Sequence, residues 1–204
     1  MQLAPDGLPA LPLWINGRAF LTVVSDFSEV TAASTGKPLR KLPLCGASEI
    51  AQALESAQSA APNWAASTPE TRQNLCATLS ALLIKYREHF QKLLQEETGQ
   101  SEHPAEAEID AVISSLDHPS LATAAEAHPI ILIADSPEVF GLPATQIVAA
   151  LAGGNTVIAR TAPEAPSTLF AFAELTARAG FPPGVLNLLH GEAATAKALL
   201  RLPK

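Results

Sequence analysis

The chain is poor in the residues that carry most recognisable chemistry. Two cysteines, Cys45 and Cys76, occur among 204 residues, with one methionine and one tyrosine. Two thiols cannot staple a chain of this length, so a disulfide scaffold is excluded and a reducing, cytoplasmic compartment is expected. The five histidines, His89, His103, His118, His128 and His190, show no H-x-x-x-H spacing. They read as solvated or capping residues, not as metal ligands. No G-x-G-x-x-G, Walker loop or G-x-S-x-G elbow is present. Charged residues are only 16% and the net charge is −7. That balance excludes a nucleic-acid surface, which needs clustered Lys and Arg. Long apolar runs are missing too. The stretch Ile130 to Arg160 is interrupted by Asp135, Glu138, prolines and glycines, so no membrane span is expected. Met1 to Leu13 carries Asp6 and three prolines and no basic start, which is unlike a signal peptide.

What is present suits a folded domain. Hydrophobic residues make up 48%, enough to build a core at this length. Proline is abundant, 17 of 204, but it is scattered as punctuation between short elements. The reading is one domain over 1–204 in three stretches: hairpins over 1–45, helices over 47–128, and a β-α-β-α-β-α run over 129–204. The first hairpin is Leu13-Trp14-Ile15, the turn pair Asn16-Gly17, and Ala19 to Val24. The second runs from Glu29 to Ala33, turns at Ser34 to Lys37, and returns over Leu39 to Leu44. Ser48 is expected to cap a helix bearing Ile50, Leu54, Ala57 and Ala61 and ending at Pro62. Thr68-Pro69 restarts it, Leu75 to Leu94 continues a core stripe, and Gly99 stops it. A third helix is expected over Pro104 to Leu116.

From residue 129 three apolar runs, Ile130 to Ala134, Thr156 to Ala159 and Val185 to Leu189, alternate with helical stretches over Pro143 to Ala152 and Pro166 to Ala179. A last helix is expected over Ala193 to Leu202. Continuous apolar strands joined by helices predict an α/β fold with a Rossmann-like parallel sheet, preceded by N-terminal β-hairpins and a helical segment. In such sheets ligands lie beyond the carboxyl ends of the strands. Those ends are Asp135-Ser136, Arg160-Thr161 and His190-Gly191.

Several segments carry a family resemblance. Leu13 to Gly17 resembles the opening strand of aldehyde dehydrogenases, and Ser34-Thr35-Gly36-Lys37 their "P-x-TG" hairpin. Ile50, Ala53, Ala57, Trp64, Pro69, Arg72 and Glu97-Thr98-Gly99 follow their helical region. Ala149 to Ala159, AALAGGNTVIA, is similar to their ALAAGNTVVLK segment, and Ala179 to Gly191, AGFPPGVLNLLHG, to AGLPPGVLNVVTG. The resemblance implies an incomplete NAD-binding domain of that family, with NAD or NADP as cofactor. It places cofactor contacts at Ile133, Ser136, Arg160, Ala162 and Gly191. Members oxidise aldehydes through a cysteine thiohemiacetal. Their nucleophilic Cys and general-base Glu align beyond residue 204, so no catalytic residue is assigned here.

The resemblance is degenerate at informative positions. Pro137 stands where the family has the Asn of its oxyanion hole, and proline has neither an amide side chain nor an N–H. Arg160 replaces the Lys at the adenosine ribose, with a forked head in place of a point charge. The Glu that follows is displaced to Glu164, and two glycines after Gly191 become Ala193 and Lys197. About thirty residues join Gly99 to Pro129, where the family has a longer connection with an arm used in oligomer contacts. The expectation is a truncated, non-catalytic protein of aldehyde dehydrogenase type, serving structure, assembly or partner binding, as a homo-oligomer or with a protein partner. The alternative is the NAD-binding part of an NAD(P)-dependent aldehyde dehydrogenase. A third reading keeps Arg160 and Gly191 for another nucleotide.

Overall fold

The computed structural model describes residues 7–22, 24, 26–121, 128–135, 137 and 139–202. Two sheets form. One has five strands in the order β2-β1-β7-β6-β5, and the other pairs β3 with β4. Strands β1 (Leu13–Ile15) and β2 (Arg18–Phe20) close on the predicted Asn16-Gly17 turn. Both turn residues have positive φ, 54° and 70°, the twist that suits a two-residue hairpin. The second hairpin is β3 (Phe27–Thr31) with β4 (Pro38–Pro43).

Helix α1 (Ala47–Ala65) is capped two residues before the expected Ser48 cap. Gly46 is the N-cap, and Glu49 reaches back to the Gly46 N–H at 3.0 Å. The helix also runs past Pro62 to Ala65. The expected long stripe from Thr68 to Gly99 is two helices, α2 (Pro69–Lys85) and α3 (Arg87–Thr98), parted at Tyr86. Thr68 caps the first as expected and Gly99, at φ 72°, ends the second. Helix α4 (Glu102–Asp117) follows.

The parallel strands are β5 (Ile130–Ile133), β6 (Val157–Arg160) and β7 (Leu186–Leu189), joined by α5 (Gly141–Ala152) and α6 (Ser167–Ala179). β1 flanks β7 in the antiparallel sense. A short α7 (Ala193–Leu199) ends the described fold. This is the α/β, Rossmann-like half-sheet with hairpins and a helical segment that the sequence predicts. The central sheet has a core on each face. The larger holds Trp64, Phe90, Phe140 and Phe172 between the sheet and helices α2 to α6; the smaller holds Ile15, Ile50, Ile158, Leu189 and Leu199. Strand side chains alternate between the two, as a pleat requires. No helix among the described residues is long and apolar enough to cross a membrane.

Candidate functional site

The strand ends bring Ile133, Arg160 and Gly191 to one edge of the sheet, with Ala162 just beyond β6. Ser136 lies outside the described residues. Arg160 is the centre of this edge. Its backbone carbonyl accepts from Ala134 N–H at 2.9 Å. Its guanidinium turns inward and is only 3% exposed. One terminal nitrogen donates to the carbonyls of Gly191 at 3.0 Å and Thr161 at 3.3 Å. The other donates to the Asp135 carboxylate, forming an ion pair with a side chain that stays largely exposed. The Nε–H is buried and meets no acceptor.

The neighbours are equally closed. Ala162 is fully buried, and Ile133 is half-buried in the smaller core. Gly191 has φ 146°, and a methyl group there would run into the Thr195 hydroxyl. Thr195 in turn donates to the Cys45 carbonyl at 3.0 Å. Lys197, at a family glycine position, is exposed on α7.

His190 has no place in a crevice. It is fully buried, with Nδ1 2.8 Å from the Thr161 hydroxyl and Nε2 2.9 Å from the Pro12 carbonyl. Burial drives its pKa down to about 4, so at neutral pH it is the uncharged ring. The matching tautomer donates from Nε2 to Pro12 and accepts from Thr161 at Nδ1. It is neither solvated nor a terminal cap, as its sequence setting suggested, but a buried tie. The thiols are also buried. Burial pushes Cys45 up to about 12 and Cys76 to about 11. Neither supplies a thiolate at neutral pH. Among the described residues no three His, Cys, Asp or Glu side chains gather to hold a metal ion.

Three carboxylate and guanidinium positions carry structural roles that the sequence did not disclose. Glu108 of α4 accepts from the N–H groups of Phe140 at 3.0 Å and Gly141 at 2.7 Å, capping α5. Arg72 of α2 donates to the Ala152 carbonyl at 2.7 Å, at the other end of that helix. Glu97 accepts from the Ser167 N–H at 3.1 Å and hydroxyl at 2.5 Å, capping α6, with the Arg40 guanidinium 3.4 Å away. Burial still holds the Glu97 carboxyl above the usual range. The partners are 32 to 80 residues apart, so no local signal marks them.

Among the described residues, Arg160 and Ala162 do not offer a dinucleotide the open polar contacts that the resemblance implies. Each terminal nitrogen of Arg160 already donates to the protein, and Ala162 offers no polar side chain for a ribose. A cavity of about 740 Å³ lies instead at the opposite end of the sheet, before β7, with Arg18, Glu55, Trp64 and Pro183 in its lining.

A helix-connected parallel half-sheet, flanked by an antiparallel hairpin and closed at its carboxyl edge by an arginine, defines an α/β protein of nucleotide-binding architecture. The aldehyde dehydrogenase family model matches residues 22–129 and 138–204, and the chain belongs to that family. It is 27% identical over 198 residues to malonate-semialdehyde dehydrogenase of Pseudomonas aeruginosa, covering 87% of this chain and 40% of that protein. The structure superposes on methylmalonate-semialdehyde dehydrogenase of Oceanimonas doudoroffii with a TM-score of 0.86 and 22% identity, covering 95% of this chain and 43% of the other. An NAD+ complex of a Bacillus cereus aldehyde dehydrogenase matches with a TM-score of 0.84 and 21% identity, over 98% of this chain and 46% of the other. The chain spans about 40% of the length of the curated relatives it matches.

Proposed function

We propose that this chain is a non-catalytic member of the aldehyde dehydrogenase family that serves structure, assembly or partner binding and does not take up NAD or NADP. The observation that carries this reading is Arg160. A guanidinium buried to 97%, neutralised by Asp135 and donating to Gly191, ties the three strand ends together. Freeing it for a ribose or phosphate would strand the Gly191 carbonyl and break the ion pair, at a cost of about 3 kcal/mol. The two buried free thiols support the reducing cytoplasm as its compartment.

Calorimetric titration with NAD, NADP, AMP and ATP is the test, run beside an assay of NAD(P)-dependent oxidation of an aldehyde panel. No heat at millimolar ligand and no turnover are expected. Saturable heat with NAD or NADP would overturn the reading. It would favour the second one, an NAD-binding part of an NAD(P)-dependent aldehyde dehydrogenase. The orphaned Nε–H of Arg160 speaks for it, since a ligand acceptor would satisfy that donor.

A further inference from the structure

The cavity of about 740 Å³ lies between α1, the β1–β2 turn and the loop 180–184 before β7. Its volume is that of a small-molecule site, roughly 300–1,000 Å³. Two close backbone approaches fix its walls. A Cβ at Gly17 would stand 3.0 Å from the Pro183 Cα, and one at Gly184 2.6 Å from the Ser56 carbonyl oxygen. The turn and α1 are thus pressed against the loop at two points, and the hollow between them is set by the backbone. Trp64, only 2% exposed, is in the lining, and its ring packs on Phe181 with centroids 5.7 Å apart. Its Nε1–H is buried and meets no acceptor, and the Ser56 hydroxyl in the same lining is buried without a partner. Buried polar groups are almost always hydrogen-bonded, so two orphans in one wall call for a partner that the chain does not supply. The lining also holds one cation, Arg18, and one anion, Glu55. Both residues are exposed, and neither side chain meets a polar partner among the described residues.

We infer that this cavity binds a small zwitterion with an apolar body, of dipeptide size. The chemistry of the wall selects that class. Trp64 and Arg18 only donate, so the occupant must present acceptors: a carboxylate for the Arg18 fork and a carbonyl for the Trp64 N–H. Glu55 only accepts, so the occupant must also carry a donor, and an ammonium group supplies it with the matching charge. With one charge of each sign in the wall, a ligand of net charge leaves one of them uncompensated. A free anion is opposed further by the net charge of −7. Phe20, Leu75 and Pro183 add apolar wall, which suits hydrocarbon side chains. A dipeptide carries its amide carbonyl between its two charged ends, so one molecule meets Trp64, Arg18 and Glu55 together. The site goes beyond the function proposed above. It shares no residue with the strand-end edge at Arg160 and holds whether or not that edge takes NAD.

The test uses the full chain, isotope-labelled for proton–nitrogen correlation spectra. Its two tryptophans, Trp14 and Trp64, give two indole N–H signals. Trp64→Phe assigns them, or Trp14→Phe should the first variant not fold. Titration with leucyl-phenylalanine is expected to move the Trp64 signal downfield and saturably at millimolar ligand, with Trp14 unmoved. The N-acetyl form of the dipeptide lacks the ammonium charge, and its C-terminal amide lacks the carboxylate. Each is expected to bind roughly tenfold more weakly. Arg18→Gln and Glu55→Gln, both at exposed positions, are expected to keep the circular dichroism of the parent and to lose the zwitterion by a similar factor. The losses are also expected to be selective. Arg18→Gln erases the preference for the free carboxylate over the amide, and Glu55→Gln the preference for the free ammonium over the acetyl form. No saturable shift of the Trp64 signal with the dipeptide overturns the inference. So does equal binding of all three peptides, or an affinity that neither Gln variant changes.

Discussion

His190 shows how one side chain can hold a chain end and set a pH limit. Its ring joins Thr161, just past the end of β6, to the Pro12 carbonyl just before β1. The folded ring titrates near 4 and the free ring near 6.5. The unfolded chain therefore binds the proton first as pH falls. Stability is full above about pH 6.5 and is lost progressively down to about pH 4, by up to about 3 kcal/mol. Urea unfolding at pH 7 and pH 4.5 should show this loss. His190→Gln, which keeps a donor for Pro12 but cannot charge, should flatten it. An unchanged pH slope in that variant would assign the acid sensitivity elsewhere.

At the scale of elements, α5 is the clearest case of a helix made by its neighbours. Its own N-cap residue, Phe140, supplies no side-chain hydrogen bond, and its first turn holds no acidic residue. Glu108 from α4 fills that role, and Arg72 from α2 closes the other end. An anion at the N-terminus and a cation at the C-terminus both complement the helix dipole. Glu108→Ala is expected to cost about 2 kcal/mol and Arg72→Met a similar amount, measured by chemical denaturation. The two effects should add if α5 is a rigid rod and exceed their sum if it frays from both ends.

The elements themselves were largely legible. Asn16-Gly17 demands a tight hairpin, Thr68-Pro69 a helix start, and Gly99 a helix stop, because each rests on local backbone preference. The parallel strands could be read because burial on both faces needs continuous Val, Ile and Leu. What failed was also local. Ser48 is a good cap, yet Gly46 with Glu49 wins because the Glu49 carboxylate closes the box. Pro62 falls in the last turn of α1, and the helix still reaches Ala65. At the site, the strand-end placing of Arg160 and Gly191 could be read from topology. The inward turn of the guanidinium depends on Asp135, 25 residues away, and no spacing rule encodes it.

Across the molecule, the N-terminal segment straps the two sheets together. Leu11 N–H donates to the Lys41 carbonyl and Lys41 N–H to the Pro9 carbonyl, each at 2.9 Å, before the chain enters β1 and the central sheet. The central sheet separates two apolar layers. Its two cysteines fall one to each layer, Cys76 in the larger and Cys45 in the smaller. That division makes the chain its own stopwatch. Ellman's reagent should find no reactive thiol in the native state, and each sulfur should become visible only when its own layer opens. If the smaller layer breathes first, Cys45 is labelled well ahead of Cys76 in mild urea. If the two react in step, the sheet and both its faces come apart in a single event.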